Sequence, residues 1–155
     1  MCIRDRFVAD LHNDLVQRMM IGEDVTKNTS SGHTDIERLK LSSIDLEVMI
    51  VWASEKEPNT SYFEFASAMY EKLKALERLE GVSVPITLDD IKTAKQNNQL
   101  SLPVAMEGGE ALENKIENIT TQIGPENAIE VTSAKPKFLI PTKIAYIAIA
   151  PQKLR

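Results

Sequence analysis

Apolar positions gather into short unbroken runs at three places and recur at three- and four-residue steps between them. "FVADL" (7–11), "LEVMIVWA" (46–53) and "LSLPVAM" (100–106) are of strand length. The second holds Val48, Ile50, Val51 and Trp52, the β-branched and aromatic content of a buried strand. Helical periodicity is clearest at Phe65, Met69, Leu73, Leu76 and Leu79. Ser61 with Glu64 has the form of a capping box, and Gly81 supplies a stop, so the pattern predicts a helix of about five turns. Thr87 and Asp90 open a shorter helix through about Asn97, and "DIERLKLSSI" (35–44) forms one or two amphipathic turns. Leu112, Ile116 and Ile119 mark a further helix face, whereas residues 21–34 are polar and rich in turn formers and read as a loop.

Strand and helix thus alternate, the order of βα units around a parallel sheet. A chain of 155 residues is long enough to bury one core, and no internal repeat is visible. Proteins of this α/β class collect functional residues at the C-terminal ends of their strands. Two of the three runs end in ionisable residues, His12 with Asp14 after the first and Glu107 after the third.

Composition removes several functions. The net charge of −5, with no basic cluster standing out, argues against a nucleic-acid partner. Cys2 is the only cysteine, which excludes an intrachain disulfide and a cysteine-based metal cluster. No apolar run approaches the roughly 20 residues of a transmembrane helix. Localisation stays open between cytoplasm and export.

The candidate chemistry begins with "VADLHNDL" (8–15), which spends one of only two histidines. Residues two apart on a strand project to the same side, so His12 and Asp14 would converge. An imidazole and a carboxylate together suit a metal ion such as Zn²⁺. A polar loop with His12 merely hydrogen-bonded explains the spacing as well. Glu107 is followed by Gly108 and Gly109, which permit positive φ and a tight turn beneath a bound group. It could add a third ligand, or simply cap the following helix.

Taken together, "DLHND", "GHTDIERL" leading into "VMIVWAS", and "AMEGGEAL" resemble the membrane dipeptidase (renal dipeptidase) family of metallopeptidases, in order and in separation, from about Phe7 to about Ile119. The resemblance implies a (β/α)₈ TIM barrel with two Zn²⁺ ions at its C-terminal mouth and a dipeptide as substrate. Carried over, His12 and Asp14 would ligate one metal, and Glu107 would bridge both as the catalytic carboxylate. The metals would lower the pKa of a bridging water toward neutrality. For His33 no metal role follows, and it is expected at the surface or behind a ligand. Asp10 is expected either to orient a metal-binding histidine or to cap a buried turn.

The resemblance is partial. The family needs two later histidine ligands, and no histidine follows His33. A complete barrel typically takes about 250 residues, so three of eight βα units are expected here, inactive alone. Residues 131–155 carry five basic and no acidic residues, against 13 basic and 23 acidic in the remainder. That switch suggests that residues 120–155 are a frameshifted or chimeric tail, and residues 1–6 ("MCIRDR") read as a non-native leader. Homo-oligomerisation of the complete protein is left open. Two other readings compete: another metal-dependent barrel hydrolase of amidohydrolase type, which usually carries His-x-His where Asp14 stands, and a small non-catalytic α/β binding domain.

Overall fold

The computed structural model describes residues 6–53, 59–115 and 118. The expected leader and tail therefore lie almost wholly outside the described residues. Among the described residues, five strands form one sheet: β1 (Ala9–Asn13), β2 (Leu46–Trp52), β3 (Val82–Ser83), β4 (Leu100–Ser101) and β5 (Val104–Glu107). Every pairing is parallel, in the order β1-β2-β4-β3, with β5 also on β2. The helices are α1 (Leu15–Met20), α2 (Ile36–Leu41), α3 (Tyr62–Lys74) and α4 (Leu88–Gln96). Among the described residues, no helix is long and apolar enough to cross a membrane.

The first strand is shifted from its expected bounds. It runs to Asn13, so His12 lies within it, and its register on β2 breaks between Asp10 and Asn13. The third run divides into β4 and β5 at Leu102–Pro103, because Pro103 has no N–H to offer a ladder. Pro103 still accepts from Met49 N at 2.9 Å, which keeps β5 seated on β2. The two-residue strand β3 flanks β4 and had no sequence signal.

Caps hold the two long helices as their sequences predict. Ser61 and Glu64 make both bonds of a capping box on α3, and Thr87 and Asp90 do the same on α4. The α-helical part of α3 stops at Lys74 and tightens into a 3₁₀ turn over Ala75–Arg78. Beyond it, Gly81 takes φ +73°, the left-handed conformation expected of a stop. After β5 a 3₁₀ turn spans Glu110–Leu112, and Glu113 and Asn114 both take positive φ. A helix cannot run straight on from Leu112, and Ile116 and Ile119 lie outside the described residues.

Two apolar clusters sandwich the sheet. On one face Met49 and Val51 of β2 meet Leu15, Ile36, Leu39, Phe65, Met69 and Leu73 from α1, α2 and α3. On the other, Leu46, Val48 and Ile50 pack with Ala105 of β5 and Ile91 of α4, and Trp52 joins them. This second face is incompletely covered. Phe7, Ala9, Leu11, Leu46, Leu88 and Ile91 line an open groove there, and Leu11 is 66% exposed.

Candidate metal centre

The C-terminal end of the sheet brings the three expected ligands together. His12 Nε2 stands 3.4 Å from Asp14 Oδ2 and 3.7 Å from Glu107 Oε2. One ligand atom from each residue lies within 4.8 Å of the others. The side chains remain open to solvent, 55% exposed for His12 and Asp14 and 37% for Glu107.

Local structure explains how each arrives. The register break in β1 is the kind of irregularity that re-aims side chains at a strand end. Asp14 sits at the N-cap of α1, where a carboxylate usually accepts from a backbone N–H two or three residues on. It makes no such bond. The carboxylates and hydroxyls of Asp35, Ser61 and Thr87, by contrast, are all engaged as caps. Asp14 therefore keeps its carboxylate for His12.

Glu107 is not a helix cap either. The 3₁₀ turn that follows is preceded by Gly109 and has no side-chain cap. Glu107 closes β5 opposite Trp52 of β2. Gly108 takes φ +79°, a conformation in which any other side chain would be strained, so glycine suits the turn. Gly109, at φ −115°, has no such need.

Two expectations about neighbours are settled differently. Asp10 is exposed, and its carboxylate accepts from the backbone N–H of His12 at 3.3 Å rather than from the imidazole. It neither orients the ring nor caps a buried turn. His33 is exposed in the loop, as expected.

Two residues that sequence reasoning passed over stand behind the site. Asn13, between His12 and Asp14, donates from Nδ2 to Glu47 Oε1 at 2.6 Å and accepts from Leu15 N at 2.9 Å. Burial pushes the Glu47 carboxyl above its usual range, against the Asn13 bond, with the Asp10 charge adding to the rise. A glutamate inside an otherwise apolar run was the available signal.

A second network ties down the loop of residues 21–34. Arg18 on α1 pairs with Glu23 and donates to the carbonyls of Thr34 (2.5 Å) and Ser31 (2.7 Å). Hydrogen bonds from Arg18 and then Ser31 hold the Glu23 carboxyl down to about 2.

These features define a class: α/β proteins that gather candidate nitrogen and oxygen ligands at the C-terminal end of a parallel sheet. The family described as "Membrane dipeptidase (Peptidase family M19)" matches residues 2–123, and the chain belongs to that family. Among solved structures, dipeptidase AC, a metallopeptidase of family M19, superposes with a TM-score of 0.63 at 20% identity, over 77% of this chain and 42% of its own. A metallopeptidase from Rhodobacter sphaeroides, liganded with a phosphinate mimic of the dipeptide L-Ala-D-Ala, also gives 0.63 at 20%, over 76% and 43%. The probable dipeptidase PvdM from Pseudomonas aeruginosa gives 0.59 at 12%, over 76% and 32%. The chain thus spans well under half the length of these structures, and its parallel α/β sheet corresponds to part of their TIM-barrel fold. No curated protein matches.

Proposed function

We propose that this chain carries part of the metal centre of a zinc-dependent dipeptidase, with His12, Asp14 and Glu107 as ligands. The observation that carries the reading is the convergence of the three side chains within 4.8 Å. One nitrogen and two carboxylate donors fit Zn²⁺, whereas Ca²⁺ and Mg²⁺ prefer oxygen alone. The freedom of Asp14 and Glu107 from capping duties favours ligation over a structural role.

When bound, zinc supplies Lewis acidity for a peptide carbonyl and a water nucleophile near neutral pH. The chain's own residues hold and neutralise that charge. His12 and Asp14 grip from β1 and its turn. Glu107 directs one oxygen toward His12, and its other oxygen makes no hydrogen bond among the described residues, which suits a carboxylate shared between two ions. A dipeptide is the substrate this reading assigns, supported by the dipeptide mimic bound to the Rhodobacter relative. Among the described residues a second ion would find only Glu107, so hydrolysis is assigned to the complete barrel.

The test is to join residues 7–119 in frame to the remainder of a related dipeptidase. Dipeptide hydrolysis that disappears with a chelator and returns with Zn²⁺ is the expected result. Turnover that survives exhaustive chelation would contradict it.

A further inference from the structure

We infer that Glu47 is a positioning residue for the metal site and acts through Asn13. The inference rests on the ligand reading given under Proposed function. Glu47 lies in β2 and is only 1% exposed. Its neighbours along the strand, Leu46, Val48 and Met49, are all core residues. A carboxylate in such surroundings is unfavourable unless it is paired. Among the described residues Oε1 has one hydrogen-bond partner, Asn13 Nδ2, and Oε2 has none.

Asn13 is placed where that bond has leverage. It separates His12 from Asp14, and its side chain reaches in two directions. Oδ1 accepts from Leu15 N, the first residue of α1, while Nδ2 reaches Glu47 and, at 3.4 Å, Thr34 Oγ1. The amide orientation follows from its partners. A backbone N–H can only donate, so it must face Oδ1, which leaves the NH₂ group for the carboxylate. One buried amide therefore clamps the end of β1 to β2 and to the start of α1, and His12 and Asp14 flank that clamp.

Leucine would match the apolar neighbours of Glu47 and remove an unpartnered oxygen, but it would leave the buried Asn13 Nδ2 with only the 3.4 Å Thr34 contact, which costs stability. What leucine cannot do is hold the Asn13 amide. Outer residues that orient ligands typically change metal affinity about 10- to 100-fold when replaced.

The test uses the full 155-residue chain, titrated with Zn²⁺ against a chromophoric chelator, with melting followed in zinc-free buffer. Glu47→Gln keeps an acceptor for Asn13 and should stay within about twofold of the parent affinity. Glu47→Leu and Asn13→Ala should each weaken binding by about tenfold. The double variant should be little weaker than either single one, because both remove the same clamp. Zinc-free Glu47→Leu should melt somewhat below the parent, because Asn13 Nδ2 loses its 2.6 Å partner, while the Zn²⁺ affinity of the folded protein still falls about tenfold. The inference is overturned if Glu47→Leu binds Zn²⁺ like the parent, if the two losses multiply, or if lost affinity merely tracks lost stability. Should Glu47→Leu fail to fold, retained affinity in Glu47→Gln with loss in Asn13→Ala supports the inference, and any other pattern overturns it. A parent chain that binds no Zn²⁺ refutes the ligand reading itself, a result distinct from the others.

Discussion

His12 Nε2 lies 3.7 Å from Glu107 Oε2 although β1 and β5 both pair with β2 and not with each other. The two side chains reach toward each other over the end of the strand between them. Glu107 is in register with Trp52 on that middle strand, so one aromatic ring stands next to the cluster. Three strand ends far apart in sequence thus meet at one point.

Trp52 is the chain's only tryptophan, which makes it a reporter for that point. Adjacent strands lie about 4.8 Å apart, close enough for a paramagnetic ion held by Glu107 to act on the indole. Co²⁺ should quench Trp52 emission with a saturable dependence, and Glu107→Gln should abolish the saturable part. Quenching that is linear in Co²⁺ and identical in both proteins would indicate collisions in solution only.

Acid should loosen the loop of residues 21–34 in a defined window. The Glu23 carboxyl is depressed from 4.5 to about 2 by the Arg18 and Ser31 hydrogen bonds. A depressed folded-state value means that the contribution is complete above the unfolded value and is lost as pH falls through the folded one. The melting temperature should therefore drop between about pH 4.5 and pH 2 partly on account of Glu23. Glu23→Gln should melt lower at pH 7 and show a shallower fall across that window. Parallel curves for the two proteins would remove Glu23 from the account.

What the sequence disclosed followed from local chemistry. Ser61 with Glu64 and Thr87 with Asp90 are capping pairs whose bonds form within one turn, so spacing alone located α3 and α4. His12, Asp14 and Glu107 were visible as ionisable residues closing apolar runs. The register break between Asp10 and Asn13 was not visible, because it arises from pairing with β2, more than thirty residues away. Helix α1 has six residues and no side-chain cap, and β3 has only two, so neither carried a pattern long enough to read. Glu47 was hidden for the opposite reason, since the apolar run around it dominates the signal.

The uncovered sheet face should make the chain self-associate. β1 pairs only with β2 among the described residues, and its Leu11 is 66% exposed. Open edges and apolar faces invite pairing with another copy. Sedimentation velocity should show species larger than the monomer that grow with concentration. Replacing Leu11 with Lys should shift the distribution toward monomer. A parent chain that stays monomeric at all concentrations and melts sharply would contradict this.

Zn²⁺ affinity measured across four variants tests the central claim most directly. His12→Ala, Asp14→Asn and Glu107→Gln each remove or neutralise one proposed ligand, while His33→Ala alters the chain's other histidine, exposed in its loop. The parent and His33→Ala should bind one Zn²⁺ with equal affinity, and each of the other three should lose at least about tenfold, the scale on which even outer residues act. If His33→Ala weakens binding as much as His12→Ala, or if Glu107→Gln binds like the parent, the three side chains are neighbours and not a metal centre.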